Sequence, residues 1–410
     1  MILRMAPPAD ETRRRRGFAV VTGVLGLFLA AAAAPTPLYE LYAERWHFSA
    51  ISLTAVFAVY AMALLATLLL AGSLSDAIGR RAVIATALGL EAASMAGFLV
   101  ANGLAWLYVA RTVQGVATGL ATAAVAAALI DLQGEKSGRG ALVNAVTPTF
   151  GLAIGALIAG ALVQYAAAPT RLVYLALLGG CVACTLGLAA VPETVTARYR
   201  PRFNLAVGIE KSTRAAFASA LPALVATWAL GGLYLSLGPS VAYSLADTTD
   251  RMIGGATVAL LTATGGLSSL LLRKHPPRQA MLGGCGSLAC GVLLTVLSVV
   301  WTSQPLFYVG TLISGAGFGA SFLGGFRTLV TLATPTARAG LVAAIYIVAY
   351  LAFSLPAIAA GVLATHLGLR TTVIGYGIVV AGLALLAIPA TVATSRRLIP
   401  GDALTCSDRR

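Results

Sequence analysis

Twelve runs of apolar residues follow one another along this chain of 410 residues, and they restrict its possible folds more than any other feature. A helix needs about 20 such residues to cross the hydrocarbon core of a bilayer. The runs lie near residues 18–39, 49–71, 82–101, 104–130, 141–166, 172–191, 215–237, 252–272, 280–300, 306–332, 340–363 and 371–391. The sequence therefore predicts an all-α integral membrane protein with twelve transmembrane helices.

The composition argues against a soluble enzyme. Hydrophobic residues make up 59% of the chain and charged residues 10%, whereas soluble domains have about 45–50% and about 25%. The sequence contains no phosphate-binding loop, no nucleophile constellation and no histidines at metal-ligand spacing. We therefore expect a protein that is not an enzyme, with no catalytic residue, no metal site and no cofactor.

The positive charges are distributed unevenly over the connections between the runs. The chain has 28 Lys and Arg against 14 Asp and Glu, and one set of connections holds nearly all the basic residues. The opposite set holds only Arg45, Arg171, Arg251 and Arg370. Because basic loops stay on the cytoplasmic side, we expect both termini in the cytoplasm of an inner (plasma) membrane protein, with no nucleic-acid partner.

An internal repeat divides the chain into two halves. Gln114-Gly115 and Gly119 recur 200 residues later as Ser314-Gly315 and Gly319, and Pro148 has a counterpart in Pro356. A duplication of this kind predicts two pseudo-symmetric six-helix bundles, which suit alternating access to a cavity at the bilayer midplane. The predicted boundaries are a cytoplasmic basic segment 1–17, a first bundle 18–192, a cytoplasmic central loop 193–214, a second bundle 215–393 and a cytoplasmic tail 394–410.

The loop between the second and third runs carries the most specific motif. It reads Gly72-Ser73-Leu74-Ser75-Asp76-Ala77-Ile78-Gly79-Arg80-Arg81 and resembles the G-x-L-x-D-x-x-G-R-R signature of the major facilitator superfamily, most closely its twelve-span drug or metabolite:proton antiporter branch. The resemblance implies a gating latch, with a relay from Asp76 through Arg80 to Asp131 and with Asp76 capping a helix of the opposite half. The alternative to a gating latch is a loop whose basic residues only keep it on the cytoplasmic side.

The fourth run contains a second match. Arg111, Gln114 and Gly115 lie in a segment that resembles the R-x-x-x-G-x-x-x-G element of the same superfamily, and they share one helical face. An arginine within a span costs about 2.5–3.5 kcal/mol on the insertion scale. We therefore expect Arg111 to face a cavity or a partner, with extension to the outer interface as the alternative.

Glu91 is the acid nearest the middle of any run. Burial penalises the charged form of a carboxyl group, which makes Glu91 a candidate to carry a proton as the coupling ion. A purely structural Glu91, hydrogen-bonded within its bundle, is the alternative.

The fifth run resembles a degraded form of the superfamily's antiporter signature. Gly151, Gly155 and Gly160 match it, while Ala156 replaces its proline and Ala159 one of its glycines. These small residues keep close helix packing possible. Pro192-Glu193-Thr194 after the sixth run resembles the end of that helix in drug exporters and differs from the longer sequence of sugar porters.

Substrate contacts are expected among polar and aromatic residues of the runs that would line a central cavity. The candidates are Tyr39, Asn144, Trp228, Tyr234, Phe318, Arg327, Tyr346 and Tyr350. Tyr346 and Tyr350 share a helical face, which fits either ordinary packing or a ligand surface. The scarcity of acids favours neutral, lipophilic or anionic compounds.

Together these features predict a secondary active transporter, a monomer in the lipid bilayer, that exports drug-like compounds or small metabolites in exchange for protons. A proton-coupled importer of a small organic solute or sugar is the alternative within transport. A membrane sensor without transport activity is the alternative from another class.

Overall fold

The structure is a computed structural model that describes residues 11–134, 138–195, 207–248, 250–334 and 337–398, with the backbone alone for 339 and 394–398. Parts of three predicted segments lie outside this range. They are residues 1–10 of the basic N-terminal segment, 196–206 of the central loop and 399–410 of the tail.

The described chain is helical throughout, and its helices follow the order of the apolar runs. They are α1 (Glu11–Ala33), α2 (Tyr39–Trp46), α3 (Ala50–Ala71), α4 (Leu74–Ile78), α5 (Arg80–Leu99), α6 (Leu104–Leu132), α7 (Arg139–Tyr165), α8 (Pro169–Gly187), α9 (Arg214–Ser236), α10 (Gly238–Ala246), α11 (Met252–Leu272), α12 (Pro277–Val300), α13 (Gln304–Leu332), α14 (Arg338–Leu367) and α15 (Leu369–Leu398). Within the described ranges, twelve helical segments are long and apolar enough to cross a membrane. The predicted number of spans is therefore confirmed.

The first and seventh spans each continue into a short extra helix that the apolar pattern did not predict. Proline cannot donate a backbone hydrogen bond and clashes with the preceding turn, so Pro35 and Pro37 interrupt the first span and the chain resumes as α2. Pro239 stands in the first turn of α10, directly after α9. Both extra helices extend their spans at the same side of the molecule.

Glycines allow the helices of each half to pack closely. A Cβ atom added at Gly119 of α6 would lie 2.7 Å from Thr67 Cβ of α3, and one at Gly310 of α13 would lie 2.7 Å from the Thr295 backbone nitrogen of α12. Small residues at such contacts bring helix backbones together, which is how helices associate where water is absent. These contacts organise α1–α8 into one bundle and α9–α15 into the other.

The two halves meet along two helix pairs, α7 with α11 and α3 with α14. We call the side that holds the start of α1 and the end of α15 the terminal face, and the other side the opposite face. Gly160 packs against Gly255, and Gly361 packs against Thr54, both near the opposite face. Phe57 of α3 packs against Phe353 of α14, with 4.7 Å between ring centroids and the rings tilted by 47°.

Candidate functional site: a latch, a buried charged network and an aromatic cluster

The turn between α4 and α5 brings the predicted gating residues together. Gly79 has a φ of 109°, a conformation that glycine adopts readily and other residues do not, and α5 begins at the next residue. Arg80 forms an ion pair with Asp76, and its Nε lies 3.3 Å from Oδ2 of Asp131 at the end of α6. The three side chains of the predicted relay are therefore in contact.

Glu193, just after the sixth span, is a part of this latch that sequence reasoning missed. Its carboxylate accepts the backbone N–H groups of Arg80 at 2.9 Å and Arg81 at 3.1 Å, so it caps the N-terminus of α5. The neighbouring Thr194 donates its hydroxyl to Asp131 at 2.7 Å. The sequence signal for this contact was an acid directly after the proline that ends the sixth span. The backbone N–H group that it binds lies more than 100 residues away in the chain, so the sequence did not identify it.

Asp76 makes no contact with the second half among the residues that the structure describes. Its recorded side-chain partner within the described part of the chain is Arg80. The predicted cap on a helix of the opposite half therefore stays a prediction for another conformation. Gly72 directly follows α3, and Arg81 contributes its backbone N–H to Glu193.

Arg327 occupies the corresponding place in the second half and is not a cavity residue, contrary to its selection as a substrate contact. Its Nη1 donates to the carbonyl oxygens of Arg273 at 2.9 Å and His275 at 3.1 Å, at the end of α11. Because a guanidinium group satisfies the free carbonyls of a helix end well, Arg327 holds the loop that replaces the latch in this half.

A charged network lies inside the first bundle, where Glu91 and Arg111 are both fully buried. Gln114 bridges them: its Nε2 donates to Glu91 Oε1 at 3.0 Å, and its Oε1 accepts from Arg111 Nη1 at 2.6 Å. Arg111 also donates to the Tyr39 hydroxyl at 2.6 Å and to the Ala32 carbonyl at 3.0 Å. Arg111 thus faces partners inside the bundle and does not extend to the interface.

The network is not saturated with hydrogen bonds. Glu91 Oε2 and Arg111 Nη2 are buried and have no partner among the described residues. The Arg111 guanidinium carbon lies 5.4 Å from the ring centroid of Tyr39 and 5.1 Å from that of Tyr60. Aromatic faces of this kind stabilise a desolvated cation by about 2 kcal/mol or more.

The glycines of the antiporter-like segment lie at helix contacts. Gly151 and Gly155 of α7 pack against α1, where a Cβ at Gly151 would lie 2.8 Å from the Gly26 carbonyl oxygen. Gly160 packs against α11 of the other half. In the same way, Gly115 of α6 packs against α3, with a Cβ only 2.8 Å from Ala63 Cβ. These four positions therefore lie at close helix contacts. For the three glycines of α7 their small size indicated such packing, whereas Gly115 was selected as a cavity residue and lies at the contact with α3.

Four of the substrate candidates meet in one aromatic cluster where the halves join. The Trp228 ring centroid lies 6.2 Å from that of Phe318 and 5.7 Å from that of Tyr350, and Tyr350 stacks on Tyr346 at 6.2 Å. The cluster is completed by Phe322, Phe353 and Phe57. Trp228 Nε1 is buried without a hydrogen-bond partner among the described residues, although indole N–H groups usually find one when buried.

The other candidates lie elsewhere. Tyr39 belongs to the network around Arg111. Tyr234 is buried in the second bundle, where its hydroxyl bonds to Thr295 at 3.2 Å and Thr311 at 3.0 Å. Asn144 is partly buried in α7, outside both clusters.

Comparisons with known proteins point in one direction. The family model described as Major Facilitator Superfamily matches residues 17–355. Among curated proteins, no significant match was found.

Solved structures share the fold at low identity. A bacterial homolog of the human lysosomal transporter Spinster, in an inward-facing and unoccupied conformation, has a TM-score of 0.79 at 14% identity, covering 95% of this chain and 99% of that one. The same transporter in an occupied, inward-facing conformation has a TM-score of 0.75, with 94% and 98% covered at 14% identity. A variant of the nucleoside transporter NupG has a TM-score of 0.69 at 12% identity, with 92% and 99% covered.

Proposed function

Because this chain belongs to the major facilitator superfamily and is a membrane transporter rather than an enzyme, we propose that it exports a small molecule in exchange for protons. The observation that carries this proposal is the fully buried Glu91–Gln114–Arg111 network. A charge that costs several kcal/mol to bury is expected to have a function, and a carboxyl group beside a permanent cation can exist in two charge states that differ by one proton.

The aromatic cluster is the proposed substrate site. It lies at the junction of the halves, it contains no charged residue, and the Trp228 indole N–H is left without a partner. Aromatic side chains with a few polar groups are typical of sites for small organic ligands. We therefore expect a neutral or lipophilic substrate with an aromatic or planar group.

One helix connects the two proposed sites. The ring of Tyr60 in α3 faces the Arg111 guanidinium, and Phe57, one turn earlier, packs against Phe353 of the cluster. A change in the charge of the network can therefore reach the substrate site through a single rigid element, without a long chain of contacts.

Export is favoured over import by the resemblance of α7 to the antiporter signature: Gly151, Gly155 and Gly160 match it, and all three lie at close helix contacts. The alternative is proton-coupled import of a small organic solute or sugar. The similarity in fold to a nucleoside transporter keeps this alternative open, and it includes nucleosides as candidate solutes.

Reconstituted liposomes that contain a pH-sensitive dye test the proposal. A proton gradient is imposed, and a panel of neutral aromatic compounds, organic acids, sugars and nucleosides is screened for substrate-dependent proton movement. We expect proton movement opposite in direction to that of an aromatic substrate. Movement in the same direction would support the importer, and substrate transport without proton movement would reject proton coupling.

A further inference from the structure

Charged and polar groups join the two halves at the opposite face, away from the latch, the buried network and the aromatic cluster. Glu44 of the first half and Arg251 of the second form an ion pair, with Arg251 Nη2 at 2.7 and 2.9 Å from the two carboxylate oxygens. In the described part of the chain, this is the one ion pair recorded between the halves. It stands on α2, the extra helix of the first span, and just before α11.

Arg251 makes more contacts than this pair. Its backbone N–H donates to Gln164 Oε1 of α7 at 2.7 Å, and its carbonyl oxygen accepts the Tyr243 hydroxyl of α10 at 3.2 Å. The guanidinium carbon lies 5.4 Å from the Tyr243 ring centroid. Arg251 therefore binds two helices of the first half, α2 and α7, while it is held in place by the extra helix of the second.

The side chain of Arg251 is 18% exposed. Partial burial acts to lower its pKa, but the hydrogen bond and charge of Glu44 outweigh burial and raise it. The guanidinium group therefore remains charged at every physiological pH. Deprotonation of Arg251 therefore does not release the contact between the halves.

A second carboxylate stands beside the pair. Glu40 lies one turn before Glu44 on α2, close to Ser240 of α10 and to Arg251, and its Oε2 is buried without a partner in the described residues. Two acids of the first half thus face one arginine of the second. If Glu44 is neutralised, Glu40 is placed to attract Arg251 in its stead.

Alternating access requires the halves to separate at one face while they close at the other. We propose that Arg251, held by Glu44 and Gln164, is the gate of the opposite face, and that its release from the first half is a step of the transport cycle. This inference goes beyond the proposed function, since it concerns a conformational change and is independent of the substrate, the coupling ion and the direction of transport.

The test measures how often the opposite face opens. In the full-length chain with its five cysteines replaced by alanine, Val163→Cys places a thiol on the α7 face that also carries Gly160 and Gln164. Val163 is 7% exposed, so its reaction with a water-soluble maleimide in lipid nanodiscs reports opening. We expect Arg251→Gln to raise the labelling rate about twofold to fivefold, since the ion pair between the halves is lost while the backbone contact with Gln164 remains.

Four further variants complete the experiment. Arg45→Gln is the matched control, because Arg45 is exposed on the same short helix, and it should leave the labelling rate unchanged. Glu44→Gln should raise the rate less than Arg251→Gln does, whereas Glu40→Gln with Glu44→Gln should match it. The exchange Glu44→Arg with Arg251→Glu should restore slow labelling.

Labelling of Arg251→Gln at the rate of the parent chain, in protein that remains monodisperse, would overturn the gate. Fast labelling of the charge-exchanged variant would overturn the role of the ion pair. Because the assay uses neither a substrate nor a proton gradient, failure of the gate would leave the proposed function standing. Failure of proton coupling in liposomes would likewise leave the gate standing.

Discussion

At the scale of single residues, the charge of the buried network depends on one proton. Arginine side chains carry a permanent positive charge in proteins, so an ionised Glu91 makes the network neutral and a protonated Glu91 leaves it with one positive charge. The rings of Tyr39 and Tyr60 then face an uncompensated guanidinium group. Aromatic faces offset part of that charge, which is one reason why we propose Glu91 as the carrier of the coupled proton.

Glu91→Gln should remove the dependence of transport on the proton gradient while substrate exchange continues. The glutamine keeps a carbonyl oxygen that can accept the Gln114 amide, but it cannot release a proton. Proton flux and substrate flux in liposomes, measured in parallel, check this expectation. The control is Glu11→Gln, which changes an exposed acid of the terminal face. Unchanged proton coupling in the Glu91 variant would mean that Glu91 has a purely structural role.

Trp228→Phe should lower substrate affinity about threefold to tenfold, the effect of one lost hydrogen bond, because phenylalanine keeps the ring contacts and removes the indole N–H. Ligand-induced quenching of tryptophan fluorescence should disappear with it. Trp301→Phe is the matched control, since Trp301 is 66% exposed and far from the cluster in sequence and in space. Equal affinity in both variants would show that the indole N–H does not contact the substrate.

At the scale of helices, the apolar runs could be converted into spans because the bilayer sets their length. The extra helices α2 and α10 could not be predicted in this way. Residues 39–46 include Glu40, Glu44 and Arg45, so hydropathy ends the first run there although the backbone remains helical. The cap that Glu193 provides for α5 was equally out of reach, because spacing along the chain predicts contacts within a helix and not contacts between ends of distant helices.

Asp76→Asn or Arg80→Ala should abolish transport and leave membrane insertion intact, because either change breaks the contacts among Asp76, Arg80 and Asp131. Glu193→Gln should have a weaker effect: the amide oxygen can still accept the N–H of Arg80, whereas the hydrogen bond from the N–H of Arg81 is lost, about 1 kcal/mol. The charge at the helix N-terminus is lost too, about 0.3–1 kcal/mol. Uptake into liposomes and monodispersity in detergent are the two measurements.

Arg273→Ala is the matched control for the latch, since Arg273 lies at the equivalent turn of the second half, where the glycine and aspartate positions of the motif are absent. Its backbone carbonyl, and not its side chain, is the group that Arg327 binds. Transport should therefore persist in this variant. Equal losses of transport in Arg80→Ala and Arg273→Ala would contradict a latch that is present in the first half alone. They would indicate that both turns need only positive charge.

At the scale of the whole molecule, the repeat predicted two bundles, but only the structure shows where the two bundles contact each other. The recurrence of Gln114-Gly115 at Ser314-Gly315 identifies equivalent helices. The axis that relates two parallel repeats runs along the membrane normal and exchanges the halves but not the faces, so the repeat does not predict at which face the halves meet. The structure differs between the faces: Glu44, Arg251 and Gln164 join the halves at the opposite face, while Asp76 at the terminal face stays within its own half. Sequence periodicity carries no information on which face is closed.

The distribution of basic residues predicts that the terminal face is cytoplasmic, and this assignment decides how the closed face is understood. Alkaline phosphatase fused after Thr302, in the exposed turn between α12 and α13 at the opposite face, should be active outside the cytoplasm, and a fusion after Leu398 should be inactive. The positive-inside rule is the reason, since loops rich in Lys and Arg resist translocation. With this result the Arg251 gate is external and the structure is closed to the outside. The reverse result would place the gate and the latch on exchanged sides, and the latch would then act outside the cell.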